Sequence, residues 1–264
     1  MGELAFVGLG LSDERGLSER ARETLASSEV VFAEEYTAVA PSGTLERLGR
    51  AIGRPIRSLE RPLLESEAPI LEALSSHRHV ALVVVGDPFA ATTHVALRLA
   101  VERAGHTWTY LPNASILTAA AGFLGLMQYR FGRTVSLPLP APGFRPTSPL
   151  EHIASNRERD LHTLVLLDLR PEEGKFLTAG AALSLIRERD PAGHFVADSH
   201  RVAVVARVGR EDACAWVGSF ARLRSVDFGA PMHAVVVLAP TLHFEEEEAT
   251  RRYLVSEESP PPRP

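Results

Sequence analysis

Six consecutive apolar residues, Val80 to Val85, run without interruption into Gly86-Asp87-Pro88. An apolar run that does not alternate is the pattern of a strand covered on both faces. The glycine turn that ends it, and the amphipathic stretch from Thr93 to Ala104, complete a strand, turn and helix. The chain opens with the same unit: Leu4-Ala5-Phe6-Val7 stops at Gly8-Leu9-Gly10, and Leu17, Ala21 and Leu25 then recur at helical spacing behind a capping Ser18. Such alternation restricts the chain to an α/β architecture with a mostly parallel sheet, whose ligands bind outside the carboxyl ends of the strands.

Between these two units the pattern predicts strands at 29–32 and 56–59 and helices at 43–52 and 66–76. Trp108 to Leu111 reads as one more strand, broken by Pro112-Asn113-Ala114, and Ser115 then opens a small-residue helix to about Leu126. The reading therefore divides the chain into two α/β lobes, 1–112 and 113–244. The second has strands at 134–137, 163–168, 202–206 and 234–238 and helices around 149–157 and 178–189. Prolines 138, 140, 142, 146 and 149 exclude a helix or central strand there and predict an exposed loop between the lobes. Residues 245–264, with four glutamates in a row and a proline-rich end, read as a frayed acidic tail.

With 264 residues, 45% of them apolar and 23% charged, the chain can build a real core without staples. Cys214 is the only cysteine, which excludes an intrachain disulfide and a cysteine metal cage and fits a reducing cytoplasm. A net charge of −5, with neither sign clustered before the tail, argues against a nucleic-acid surface. No apolar run reaches the roughly 18 to 20 residues of a membrane span, and no basic leader precedes the first strand.

The two glycine turns differ in what they can hold. Gly8-Leu9-Gly10-Leu11-Ser12-Asp13 begins like a dinucleotide fingerprint, and Glu34 imitates its ribose-binding acid, but Asp13 stands where the third glycine belongs and Glu14 adds a second carboxylate. Two carboxylates there repel a pyrophosphate, which disfavours a dehydrogenase. Asp87 at the lip of the most buried strand reads as a helix cap or, with no lysine nearby, as a partner for a ligand carrying hydroxyls and positive charge. S-adenosylmethionine, a sulfonium without phosphate, has that chemistry.

These segments, taken in order, resemble the diphthine synthase family within the tetrapyrrole-methylase-like class of S-adenosylmethionine-dependent methyltransferases. The marks are Gly8-Leu9-Gly10-Leu11 with Asp13-Glu14-Arg15, Phe32 to Thr37 reading Phe-Ala-Glu-Glu-Tyr-Thr, Gly86 to His94 reading Gly-Asp-Pro-Phe-Ala-Ala-Thr-Thr-His, Ala114-Ser115-Ile116, and Leu161-His162-Thr163-Leu164 leading to Asp168. The resemblance implies two α/β lobes with the cofactor in the cleft between them, a homodimer, and cofactor contacts at Leu11, Asp87, Ala90, Ser115, Ile116, Leu167, Val208 and His233. It also implies methylation of the amino group of 2-(3-amino-3-carboxypropyl)histidine on translation elongation factor 2, three transfers giving diphthine and S-adenosylhomocysteine leaving after each.

No essential catalytic side chain emerges from the sequence; Glu34 and Tyr36 are candidates for facing the growing ammonium, against the plainer reading that one ends a strand and the other packs. His94, His162 and His233 lack a second ligand at zinc-like spacing, so no metal is expected. Departures from the family pattern are Asp160 where glycine is usual, Phe144-Arg145 in the proline-rich loop, and the acidic tail. The alternatives are a corrin or porphyrin methylase of the same fold and a non-catalytic binder of elongation factor 2.

Overall fold

The computed structural model describes residues 1–255, which fall into two units: Met1–Ser115 with Arg170–Gly174, and Ile116–Leu169 with Lys175 onward. The break after Ser115 compares with the boundary at 112 expected from the sequence.

The first unit is a parallel five-stranded sheet ordered β3-β2-β4-β1-β5, built from β1 (Glu3–Gly10), β2 (Val30–Glu34), β3 (Ile56–Leu59), β4 (His79–Val85) and β5 (Thr107–Leu111). Its helices are α1 (Glu19–Ser27), α2 (Thr44–Ile52), α3 (Arg61–Glu65), α4 (Ala68–Ser76) and α5 (His94–Arg103). Apart from Glu3, His79 and Glu34 at their ends, the central strands β1, β4 and β2 are apolar because both faces are covered. Leu4, Phe6, Val80, Leu82 and Val84 pack into one core, and Ala5, Val7, Leu9, Ala81 and Val83 into the other.

The two helices that follow the glycine turns lie on opposite faces. Ala21 and Leu25 of α1 join the second of those cores, whereas Leu97 and Val101 of α5 join the first. From β1 the chain crosses to β2 on one side, and from β4 it crosses to β5 on the other. The adjacent carboxyl ends of β1 and β4 are therefore a topological switch point, where an open α/β sheet leaves a crevice for a ligand.

The second unit has helices α6 (Ile116–Leu124), α7 (Ser148–Glu158), α8 (Ala179–Arg189), α9 (Phe220–Leu223) and α10 (Phe244–Thr250). Its strands are β6 (Val135–Leu137), β7 (Thr163–Leu167), β10 (Arg201–Ala206), β11 (Cys214–Ser219) and β12 (His233–Val237); β8 (Leu169–Arg170) and β9 (Lys175–Phe176) enter neither large sheet. The order is β11-β10-β12-β7-β6, and only β6 and β7 run parallel. This corrects the expected mostly parallel sheet. The chain passes from β10 to β12 through β11, a hairpin partner, with only the one-turn helix α9 on the way, so no crossover helix exists to make those strands parallel.

Two other expectations change. Residues 138–147 join β6 to α7 inside the second unit rather than linking the units, and α7 accepts Pro149 in its first turn, where no amide donor is needed. Residues 245–255 are not frayed. The α10 helix starts with a capping box between His243 and Glu246, and Glu245, Glu246 and Glu247 all sit in its first turn, against the positive end of the helix dipole. Leu254 then bridges to Val217, and Val255 is buried. Positions 256–264 of the expected tail lie outside the described residues.

Glu246 is fully buried. Its carboxylate accepts from the backbone of Met127 and His243, from His162 Nε2 at 3.1 Å and from Arg130. Asp160, at φ +56, holds Arg130 and the Thr241 amide. That left-handed backbone is one glycine adopts without strain, and two hydrogen bonds offset the strain of an aspartate.

Candidate active site

The carboxyl ends of β1 and β4 close on each other through a reciprocal pair of hydrogen bonds. Gly10 N donates to Gly86 O at 3.0 Å, and Gly86 N to Gly10 O at 2.8 Å. Both glycines have φ +80, which other residues rarely adopt. Gly8 has a different reason to be glycine: a Cβ there would lie 2.8 Å from both Asn113 Cβ and Gly86 O.

Asp87 follows directly, 9% exposed. Its Oδ1 accepts from Phe89 N at 2.9 Å, and its Oδ2 from the Tyr110 hydroxyl at 2.5 Å and Asn113 N at 3.3 Å. A carboxylate has about four acceptor sites. The protein takes three, and one, on Oδ1, remains. Burial, followed by the bond to Asp87, pushes the Tyr110 hydroxyl up to about 12, so it remains a donor at any physiological pH.

Asn113 ties the lip together. Its Nδ2 donates to Gly8 O at 2.9 Å and Gly16 O at 3.1 Å, and its Oδ1 accepts from Ala114 N. Tyr110 and Asn113 were not singled out in the sequence. Asn113 was visible there only as part of a chain break; its position after the strand next to β1 is what gives it a role.

Leu11, Asp87, Ala90 and Ser115 all stand just past the carboxyl ends of β1, β4 and β5. In the second unit Leu167 ends β7, Val208 lies two residues past β10, and His233 opens β12. Ala206 pairs with His233 and Leu166 with Ala234, so these three positions share one end of that sheet. Ile116 opens α6 and packs in the same core as Leu166 and Val208. His233 is occupied on both nitrogens, accepting from Ala179 N and facing Phe228 O; burial holds its pKa below the usual histidine range.

Glu34 and Tyr36 do not form an open receptor for a cation. Glu34, 1% exposed at the end of β2, accepts from Thr37 N at 2.5 Å and Thr37 Oγ1 at 2.9 Å, and burial pushes its carboxyl up. The Tyr36 ring already carries the Arg61 guanidinium, 5.7 Å from its centroid. What the structure does bring together are the two most distinctive sequence segments, because His94 Nε2 lies 3.7 Å from Glu34 Oε2.

The carboxylates that spoiled the dinucleotide fingerprint are structural. Asp13 caps a short 3-10 turn and pairs with Arg15, and Glu14 pairs with Arg47 at 2.8 Å. Helix α1 starts only at Glu19, capped by Ser18, so no helix N-terminus stands at the glycine turn to receive a pyrophosphate. The donor set that remains at the lip is a carboxylate, a phenol and backbone groups, which fits hydroxyls and a cationic ligand. Among the described residues no group of three His, Cys, Asp or Glu side chains is placed to hold a metal ion, and no helix is long and apolar enough to cross a membrane.

The sequence profile of the Tetrapyrrole (Corrin/Porphyrin) Methylases matches residues 3–223. A diphthine synthase of Methanocorpusculum labreanum is 34% identical over 250 residues, covering 95% of this chain and 98% of the relative. One from Methanosphaerula palustris is 37% identical over 245 residues, covering 93% and 96%. A crystal structure of a diphthine synthase superposes with a TM-score of 0.86 at 34% identity, covering 96% of each chain. With near-complete coverage in sequence and in fold, the chain belongs to the tetrapyrrole methylase family and, within it, to the diphthine synthases.

Proposed function

We propose that this S-adenosylmethionine-dependent methyltransferase methylates the amino group of 2-(3-amino-3-carboxypropyl)histidine on translation elongation factor 2, adding three methyl groups to give diphthine. The observation that carries the reading is Asp87, a carboxylate at the switch point with three acceptor sites filled by the protein and one left on Oδ1. The names of the relatives supply the substrate.

When bound, S-adenosylmethionine supplies a methyl group on a good leaving group, so no covalent nucleophile is needed on the protein. The chain's task is alignment and exclusion of water. Asp87 accepts a hydrogen bond from the cofactor, and Tyr110 and Asn113 fix the carboxylate's direction. Leu11, Ala90 and Ser115 stand beside Asp87 at the strand ends of the first unit, and the family resemblance assigns further cofactor contacts to Ile116, Leu167, Val208 and His233. Glu34 and Tyr36 support the 34–37 segment, their groups already engaged by Thr37 and Arg61. The protein acts in the cytoplasm as a homodimer, a reading supported by its lone cysteine and by the family.

The deciding assay is incorporation of labelled methyl groups into elongation factor 2 that already carries the aminocarboxypropyl group. The expected result is up to three methyl groups per factor, and none on a factor lacking that group. Incorporation into a corrin or porphyrin alone would overturn the substrate reading, and retention of NAD in place of S-adenosylmethionine on ultrafiltration would overturn the cofactor.

A further inference from the structure

His94 opens α5 and is 2% exposed. Its Nδ1 lies 2.7 Å from Pro88 O. A carbonyl can only accept, so Nδ1 carries the hydrogen. In a neutral ring Nε2 is then a bare lone pair. That nitrogen is buried, has no hydrogen-bond partner, and faces Glu34 Oε2 at 3.7 Å. A lone pair and an ionised carboxylate repel each other, and at a site removed from water nothing screens them. A proton on either Glu34 or His94 relieves that repulsion.

We propose that Glu34 and His94 share one buried proton and act as positioning residues that clamp the Pro88–Thr93 loop to the end of β2, so that cofactor affinity falls on the alkaline side as this proton leaves. The affinity part rests on the reading that the Asp87 lip holds S-adenosylmethionine.

The loop depends on its clamp. Pro88 O accepts from His94 Nδ1 and from Thr92 Oγ1 at 2.6 Å, and Ala91 between them is held at φ +58, an unfavourable region for alanine. Ala90, a candidate cofactor contact, lies on the same loop, with its N–H on Asp87 O. Burial alone pushes the Glu34 carboxyl up, in the direction that keeps a proton in the pair. The other ionisable groups that reach it are Glu35 and Tyr36 on the following segment. Tyr36 bonds the Thr93 side chain and feels Glu65 and Arg61 of α3. Asp87, at the adjoining turn, is engaged by Phe89, Tyr110 and Asn113.

Glu34→Gln isolates the proton from the shape. Its amide NH2 can donate permanently to His94 Nε2 and to Thr37 Oγ1, while its oxygen still accepts from Thr37 N. Two readouts are taken between pH 6 and 9.5: the dissociation constant of S-adenosylmethionine, and long-range proton–nitrogen spectra of protein labelled with 15N-histidine. In the wild type the proposal expects an Nδ1-protonated His94 and a single alkaline step, across which the cofactor binds about tenfold more weakly, the low end of what an unpaired buried polar group costs. In Glu34→Gln the step disappears from both readouts. A wild-type step retained in Glu34→Gln overturns the proposal, as does a wild type with His94 protonated on Nε2 alone or with no alkaline step. If Glu34→Gln does not fold, the wild-type spectra decide by those last two criteria. A wild type that binds no S-adenosylmethionine at any pH overturns the cofactor reading, while the spectra still judge the shared proton.

Discussion

Replacing Tyr110 with phenylalanine removes one hydrogen from Asp87 Oδ2 and leaves the ring in place against Phe89, whose centroid lies 5.0 Å away. A hydrogen bond to a charged acceptor is worth about 1.5–3 kcal/mol, but Tyr110 is 40% exposed and water takes up part of the loss. A net cost of ~1–2 kcal/mol follows, and because the freed lone pair lets the carboxylate turn from its bound direction, it falls on the cofactor. At 1.4 kcal/mol per decade, Tyr110→Phe should bind S-adenosylmethionine about 5- to 30-fold more weakly by calorimetric titration. The thermal midpoint of the free protein should change little. With the hydroxyl pushed up to about 12 from the ordinary value of 10.0, its bond to Asp87 is intact below pH 10.0 and is lost only as pH rises through about 12. Any alkaline weakening of binding below pH 10 must then survive in Tyr110→Phe. An affinity within twofold of wild type, or a loss of affinity matched by loss of the fold, would refute the reasoning.

Gly8→Ala puts a methyl 2.8 Å from Asn113 Cβ and Gly86 O, and should cost about 1–3 kcal/mol in urea unfolding together with cofactor affinity, because the same clash displaces both strand ends. Glu246→Ala should destabilise the second unit by about 3–5 kcal/mol in the same measurement, since it strands half-buried Arg130, buried His162 and the Met127 amide donor. Burial pushes the Glu246 carboxyl up, but hydrogen bonds from Met127, His243 and His162 outweigh it and hold the group below 4.5. Its contribution is therefore present above pH 4.5 and lost as pH falls through the folded value; Glu246→Gln should flatten that acid limb of stability. Asp160→Ala should lose about 1 kcal/mol more than Asp160→Gly, because glycine accepts φ +56 without strain; equal losses would place the cost in the Arg130 and Thr241 bonds alone.

The first unit was legible in the sequence because its central strands are buried on both faces and therefore appear as unbroken apolar runs, with glycine at the turns that carry the site. The second sheet was less so. Strand β11 contains Gly218 and has no breaker of its own before α9, and antiparallel pairing leaves no mark in an apolar run that is covered on both sides. The acidic stretch after Phe244 looked like a tail because composition does not reveal that Glu246 points inward to Arg130 and His162. At the site, Asp87 was legible from its place after the Val80–Val85 run. Tyr110 and Asn113 were not, because what matters is the adjacency of β5 to β1, a property of strand order. His94 read as an isolated histidine for the same reason: its partner Glu34 lies sixty residues earlier and meets it only through the fold.

The most direct test of the account is a crystal structure with S-adenosylhomocysteine bound. The account predicts a ligand donor within hydrogen-bonding distance of Asp87 Oδ1 while Tyr110 and Asn113 keep Oδ2. A ligand ordered away from the Gly86-Asp87-Pro88 turn, or one that displaces Tyr110 from the carboxylate, would contradict it.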